Sequence, residues 1–239
     1  MFRFSKLLLA MLALVLLTFF AAPLAMADTI VIGGTNSPNA FPFGAGAGPY
    51  TYQAGGEYQQ IYNSARFSGP VMITQIAFAS SSVNRSPGTN IYNFRLGLGT
   101  TSSTPGSPNS SFAANGTTTT VFNGPLTAVL TTTNSFDLRI PLTTPFTYDP
   151  AGGNLLLDVV LNSQTTGNVT FFVAGRSSDV GRVFLLNGNG TPAAQGNYGL
   201  YTQFTTEQAV PEPTTILLLG TGLAGIAAKV RHRRKNTDH

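Results

Sequence analysis

The amino-acid sequence predicts a single all-β domain, a β-sandwich or jelly roll, flanked by an apolar helical segment at each end of the chain. Three observations support this prediction. Short segments that alternate polar and apolar residues recur about every ten residues. Clusters of Gly, Pro, Asn and Ser, which favour turns, separate these segments. Between the two ends, no segment has the apolar spacing of an amphipathic helix.

The alternation is clearest in residues 91–98, where Asn93 and Arg95 face one way and the intervening apolar residues face the other. Residues 154–161 are almost continuously apolar and are predicted to form a central strand. In residues 71–79 one face should carry Met72, Thr74, Ile76 and Phe78. The other predicted strands are residues 29–32, 57–64, 118–122, 126–132, 136–140, 169–174, 182–186 and 199–205.

Two segments have loop composition. Residues 33–50 are rich in Gly, Pro and Asn, and they carry Phe41 and Phe43 on either side of a proline. We expect these rings to pin the loop to the core, and the alternative is an exposed pair that binds a ligand. Residues 100–120 are mostly Ser, Thr, Pro, Gly, Asn and Ala. This composition predicts a solvated connection, or alternatively a recognition loop.

The N-terminal segment has the order of a secretory signal peptide. Arg3 and Lys6 precede an apolar core at residues 7–17, and the small residues Ala25 and Ala27 occupy the positions that signal peptidase reads. We expect residues 1–27 to be the signal peptide, with cleavage after Ala27. The alternative is an uncleaved N-terminal anchor.

The C-terminal segment has the order of a membrane helix with a basic stop. Residues 214–228 carry no charge, and as a helix they span only about 22 Å, short of the usual length of about 20 residues. Five cations follow within seven positions: Lys229, Arg231, Arg233, Arg234 and Lys235. A buried core helix would not end in such a cluster. We therefore expect a membrane helix at about 214–230 and a cytoplasmic tail at 231–239.

Pro211, Glu212 and Pro213 precede this apolar run, and Arg233 and Arg234 follow it. Residues 210–239 therefore resemble a PEP-CTERM protein-sorting signal, with Arg231, Arg233, Arg234 and Lys235 as the basic stop. The resemblance implies recognition by an exosortase, a membrane-embedded protease or transpeptidase, with cleavage near the motif. It also implies a bacterial protein exported to the cell surface or medium.

Two stretches between the ends resemble regions that recur in exported PEP-CTERM proteins. They are residues 58–76, which contain Gln59-Gln60-Ile61-Tyr62, and residues 145–158, which contain Gly153-Asn154-Leu155. This resemblance implies a secreted β-rich domain of unassigned function, so it assigns no active residue.

Removing both ends changes the charge of the protein. The whole chain has a formal charge of +4, but residues 28–209 contain six arginines, no lysine and seven carboxylates. The exported domain therefore has one net negative charge. Such a domain lacks the basic surface that nucleic-acid binding needs.

The composition excludes several kinds of active site. The chain has no cysteine, and its two histidines, His232 and His239, lie in the C-terminal tail. The exported domain therefore cannot build a Ser-His-Asp triad or a zinc site of the His/Cys type. We expect no catalysis, no cofactor and no metal site.

Asp158 interrupts the most apolar segment, so it should be partly buried and should need a partner. Arg95, Arg139, Arg182 or backbone N–H groups would serve. The alternatives are a calcium ligand and a catalytic acid. Asp137 should pair with Arg139 at an exposed position on one strand face.

These observations predict an exported cell-surface or extracellular-matrix protein with a structural or adhesive role. An alternative is a module that binds extracellular polysaccharide through exposed aromatic rings, for which the candidates are Tyr50, Tyr52, Tyr198 and Tyr201. A carboxylate-dependent hydrolase is a third hypothesis, which the lack of histidine and the few acidic residues disfavour.

Overall fold

The computed structural model describes residues 27–44, 54–81, 88–131, 134–167, 172–185 and 190–208, together with Gly222. The chain divides into two compact units. One unit is Met26–Gln208, and the other combines residues 1–25 with residues 209–239. The fold described below is that of the first unit.

The described part of this unit is built almost entirely from β-strands. They are β1 (Ala27–Ile32), β2 (Ser37–Asn39), β3 (Glu57–Tyr62), β4 (Val71–Phe78), β5 (Gly88–Thr101), β6 (Thr119–Leu130), β7 (Leu138–Tyr148), β8 (Asn154–Leu161), β9 (Phe172–Arg176), β10 (Val180–Leu185), β11 (Ala193–Gln195), β12 (Tyr198–Leu200) and β13 (Thr202–Gln208). Single 3-10 turns are present at Ser64–Arg66, Phe112–Asn115 and Pro150–Gly152. The prediction of a β-rich fold is confirmed.

The strands form three antiparallel sheets. The largest has the order β11-β10-β3-β8-β5-β6, the second β1-β13-β4-β7 and the smallest β12-β9-β2. The two smaller sheets are joined where β4 and β13 reach β9. There the Val173 N–H donates to the Ala79 carbonyl at 2.8 Å, and the Tyr201 N–H donates to the Val173 carbonyl at 2.9 Å.

The core lies between the six-stranded sheet and the two smaller sheets. Tyr62 of β3 packs edge-on against Phe204 of β13, with ring centroids 4.9 Å apart. Phe43 is fully buried among Phe78, Tyr92, Phe94 and Phe172. Burial of rings of this size is a large hydrophobic contribution to stability. The expectation that Phe43 pins its loop to the core is confirmed.

Several strand predictions match the structure closely. In β5 the apolar face is fully buried, while Asn93 and Arg95 are partly exposed on the other face. The strand β8 has the predicted bounds and lies inside the six-stranded sheet.

The two strands predicted at 118–122 and 126–132 are instead one continuous strand, β6. Pro125 does not interrupt it, because β6 is an edge strand of its sheet, where a missing backbone N–H is tolerated.

The predicted faces of β4 are wrong beyond its midpoint. The register with β7 shifts between Ile73 and Gln75, which marks a β-bulge at Thr74. An extra residue in one strand moves every later side chain to the opposite face. Val71 and Ile73 before the bulge and Ile76 and Phe78 after it are therefore all buried.

The connection between β5 and β6 differs from the predicted solvated loop. Residues 102–118, here called the cover loop, lie against the outer face of the six-stranded sheet. Asn115 is 1% exposed, and its Nδ2 donates to Gln59 Oε1 of β3 at 3.1 Å and to the Asn109 carbonyl at 2.8 Å. The side chain of Asn154 on β8 also donates to the Ser103 carbonyl at 2.9 Å. Hydrogen bonds of polar side chains therefore attach the loop to the sheet, and the composition of the loop did not predict these contacts.

Glycines let the cover loop approach the sheet closely. A Cβ at Gly181 of β10 would collide with the Pro105 carbonyl, and one at Gly196 would collide with that of Gly106. The Pro105 carbonyl instead accepts a hydrogen bond from the Asn197 N–H at 3.0 Å. The short strand β11, which the sequence did not predict, ends beside this contact.

Candidate functional site

Three charged groups of the six-stranded sheet meet on its outer face, next to the cover loop. Glu57 of β3 and Arg95 of β5 lie on opposite sides of Val160 of β8, which pairs with both. Asp158 lies two residues before Val160 and therefore on the same face. The residue of β5 opposite Asp158 is Gly97, which leaves room for a side chain to reach across.

Arg95 is the partner of Asp158. Its Nη2 donates to Asp158 Oδ2 at 2.5 Å, and the side chains are 31% and 5% exposed, respectively. Of the other two predicted candidates, Arg139 is exposed on β7 and Arg182 lies on the opposite face of the sheet, in register with Gln60. The expectation that Asp158 is buried and paired is confirmed.

Glu57 completes a cluster of two carboxyl groups and one guanidinium. Partial burial and the negative charge of Asp158 raise the pKa of Glu57 to about 7, although Arg95 opposes this shift. The carboxyl of Glu57 lies within hydrogen-bonding reach of Asp158. Asp158 Oδ1 is buried and receives no hydrogen bond from the amides, guanidinium groups or hydroxyls of the described residues. A hydrogen bond between two carboxyl groups needs one proton, and the raised pKa of Glu57 favours that proton on Glu57.

This geometry suits a shared proton better than hydrolysis or metal binding. Glycosidases need carboxyl groups about 5–9 Å apart, with the sugar between them, whereas these two are in direct contact. A guanidinium already occupies Asp158 Oδ2. Within the described ranges, no three His, Cys, Asp or Glu side chains are grouped so that they could hold a metal ion.

A row of asparagines continues this face away from the cover loop. Asn162 Nδ2 donates to Asn93 Oδ1 and to Asn123 Oδ1, both at 3.0 Å. Asn123 is also the register partner of Arg95, which places the three amides beside the charged cluster. We call Asn93, Asn123 and Asn162 the amide patch. Sequence reasoning missed it because only Asn93 lay in a recognised alternating strand.

Arg182 forms a second, buried cationic site. It is 6% exposed, and its guanidinium donates to Asn39 Oδ1 at 2.7 Å and to Gln195 Oε1 at 2.8 and 3.0 Å. The rings of Tyr198 and Phe184 face it, with centroids 4.4 and 4.9 Å from the guanidinium carbon. Neutral acceptors and ring faces thus take the place of a carboxylate. The Arg182 guanidinium thus links β2 and β11 to β10 through hydrogen bonds.

The predicted tyrosine platform does not form among the described residues. Tyr198 covers Arg182, and Tyr201 packs against Phe136 with centroids 5.2 Å apart. Both rings are half-buried and are in contact with other side chains of the fold. Tyr50 and Tyr52 lie outside the described residues.

The predicted pair of Asp137 with Arg139 is wrong. Asp137 instead accepts hydrogen bonds from the hydroxyls of Ser80 and Ser135, both at 2.6 Å, and from the backbone N–H of Thr131 at 2.8 Å. Burial opposes ionisation, but these donors outweigh it and lower the pKa of Asp137. Arg139 Nε donates to the Phe136 carbonyl. Nearby hydroxyls satisfy the carboxylate, so no cation is needed.

The two ends of the folded unit lie side by side. Ala27, the first residue of β1, is exposed and pairs with Glu207, near the end of β13. Ala27 is the predicted signal-cleavage position that the structure describes, and Ala25 lies outside the described residues. The predicted sorting motif and basic stop also lie outside them: Pro211, Glu212, Pro213, Arg231, Arg233, Arg234 and Lys235.

The helix predicted at about 214–230 falls outside the described residues except for Gly222. Among the residues that are described, no helix has the length and apolar character needed to cross a membrane.

Comparison with known proteins bears on the C-terminal segment. The family described as the PEP-CTERM protein-sorting motif matches residues 209–234. No curated protein and no solved structure gives a significant match to the chain. The matched segment begins directly after β13 and contains the Pro211-Glu212-Pro213 triplet, and the motif implies processing by an exosortase-type membrane enzyme. The chain is therefore an exported protein that carries the PEP-CTERM protein-sorting motif.

Proposed function

We propose that this protein is a structural or adhesive component of the cell surface or extracellular matrix, with a β-sandwich or jelly-roll body delivered by its sorting signal. The observation that carries the proposal is the motif at residues 209–234, immediately after the last strand. In this proposal the signal peptide directs export, the C-terminal helix holds the protein in the membrane, and exosortase then releases or transfers the body.

The adjacent strand ends support processing at both termini. Two residues separate the end of β13 from Pro211, so cleavage near the motif leaves the new C-terminus close to Glu207. Cleavage after Ala27 leaves the new N-terminus at Asp28, opposite Thr206. Neither cut removes a strand, so both are compatible with an intact body.

The chemistry of the body supports a role without catalysis. The exported domain has no cysteine and no histidine. Its clustered carboxyl groups, Glu57 and Asp158, are within hydrogen-bonding reach of each other, and Asp158 is bound to Arg95. An alternative role is binding of extracellular polysaccharide. Tyr198 and Tyr201 do not favour this role, because both pack against side chains of the fold, but the amide patch does.

Intact-mass analysis of the protein from the cell surface and medium tests the proposal. We expect a mature chain that starts at Asp28 and lacks the apolar segment after Pro213. The matched variant replaces Pro211, Glu212 and Pro213 with alanine, and it should lose the signal peptide but retain the C-terminal segment. A wild-type protein that still ends at His239 would contradict processing by exosortase.

A further inference from the structure

The amide patch presents fixed donors and acceptors to solvent. Asn162 uses both hydrogens of its Nδ2 on the oxygens of Asn93 and Asn123. The Oδ1 of Asn162 is left as an acceptor, and the Nδ2 groups of Asn93 and Asn123 are left as donors. Asn123 and Asn162 are exposed, and Asn93 is partly exposed. A hydroxyl group both donates and accepts, so a patch that offers both donors and acceptors matches the hydroxyls of a sugar.

The adjoining charges do not favour a charged ligand. Asp158 neutralises Arg95 at 2.5 Å, and burial together with Asp158 raises the pKa of Glu57 to about 7, which disfavours a charge on it. The guanidinium retains donors beyond the Nη2 contact, and its side chain is 31% exposed. The surface around Val160 therefore offers hydrogen bonds with little net charge.

An uncharged loop of the chain itself covers the neighbouring part of this outer face. The cover loop has no charged residue, and it occupies the neighbouring part of the face through amide and carbonyl hydrogen bonds. Gln59 accepts from Asn115, and Asn154 donates to Ser103. The amide patch continues the same polar face where the loop does not cover it.

We propose that the amide patch, with Arg95 beside it, binds the hydroxyl groups of a neutral polysaccharide. Asn93 and Asn123 donate to sugar oxygens, Asn162 accepts from a sugar hydroxyl, and Arg95 donates at the edge of the site. This inference rests on the adhesive role proposed above and names its ligand class. It requires export only because the patch must reach an extracellular polymer.

Retention of the full-length chain on insoluble polysaccharides tests this proposal. The protein is held in a polyoxyethylene detergent, which has no sugar headgroup, and passed over cellulose, cross-linked dextran, xylan and galactan, with alginate as the acidic comparison. We expect retention by at least one neutral polymer. Replacing Asn93, Asn123 and Asn162 together with alanine should weaken binding at least about tenfold, because three hydrogen-bonding amides are lost.

Gln203→Ala removes an amide from the four-stranded sheet and should bind like the wild type. Thermal unfolding of each variant shows whether the fold is retained. Retention by alginate alone, retention by none of the polymers, or equal retention of the wild type and the folded triple variant would each overturn the proposal. None of these outcomes alters the masses found in the processing experiment, so the two proposals fail separately.

Discussion

Glu57 lies within hydrogen-bonding reach of Asp158 on the outer face of the six-stranded sheet, where burial and this neighbouring carboxylate raise the pKa of Glu57 to about 7. The two residues are far apart in the sequence, because Glu57 is on β3 and Asp158 is on β8. The antiparallel register, which pairs Glu57 with Val160, brings them together.

Glu57→Gln should remove a pH dependence of stability. The pKa of Glu57 is about 7 in the folded protein and 4.5 in its ordinary state, so between these values the folded state binds more protons than the unfolded state. The free energy of unfolding should therefore fall as pH rises from about 4.5 to 7 and level off above that. The amide of a glutamine at position 57 can donate a hydrogen bond to Asp158 at every pH. Urea denaturation from pH 5 to 8 should show the decline in the wild type and a flatter profile in the variant.

Glu207→Gln, on β13, is the matched control and should keep the wild-type decline. A wild-type profile that is flat or rises between pH 5 and 7 would contradict the raised pKa of Glu57.

Arg95→Met should destabilise the protein by about 2 kcal/mol, because it leaves the carboxylate of Asp158 buried without its cation. Asp158→Asn should cost a similar amount. The double variant should lose less than the sum of the single losses, by about 1–2 kcal/mol, since the residues are in contact. Chemical denaturation of the four proteins gives this coupling energy, and additive losses would mean that the contact contributes nothing.

Asp137→Asn should weaken the turn between β6 and β7. The carboxylate accepts hydrogen bonds from Ser80, Ser135 and Thr131, and an amide cannot accept all of them, so we expect a loss of about 1–2 kcal/mol at pH 7. The lowered pKa of Asp137 also adds stability that is present above its ordinary pKa and is lost as pH falls through the folded value. The variant should therefore be less acid-sensitive below about pH 4.

Asp149→Asn provides the comparison, because the side chain of Asp149 accepts one backbone hydrogen bond, from the Ala151 N–H. Equal effects of the two substitutions would argue that the hydroxyl cluster adds nothing to an ordinary turn.

Gly181→Ala should detach the cover loop or destabilise the fold by about 1–3 kcal/mol. The new Cβ would meet the Pro105 carbonyl, which is backbone and has little freedom to move. Limited proteolysis should show faster cleavage within residues 102–118, and denaturation should show the loss of stability.

Gly69→Ala is the matched control. A Cβ at Gly69 would have no atom within 4 Å, so this substitution should change stability by less than about 0.5 kcal/mol. Unchanged proteolysis of Gly181→Ala would mean that the loop does not rest on β10.

The side-chain period predicted much of the fold, because it records which face of a strand is buried. Tyr92 and Phe94 alternate with Asn93 and Arg95, and the structure keeps that alternation. The pattern failed at Thr74, where a bulge changes the face without any change in composition. The three-residue strands β2 and β11 are too short to show a period.

The candidate site was predictable only in part. A lone acid in an apolar strand identified Asp158, since a buried charge needs a partner. The choice of Arg95 over Arg139 and Arg182 depended on strand order and register. The amide patch depended further on Asn162, which follows the end of β8 and reaches Asn93 and Asn123 from there.

The pairing of β1 with β13 also constrains the order of events during export. Asp28 is hydrogen-bonded to Thr206, 178 positions later in the chain. In the export route proposed above, the first strand to leave the translocation channel has no β-partner until nearly the whole domain has followed it, and such distant pairings close slowly. Because the matched sorting motif begins where β13 ends, this route completes the four-stranded sheet only as the motif itself leaves the channel. In this proposal, assembly of the body and arrival of its sorting signal coincide in time.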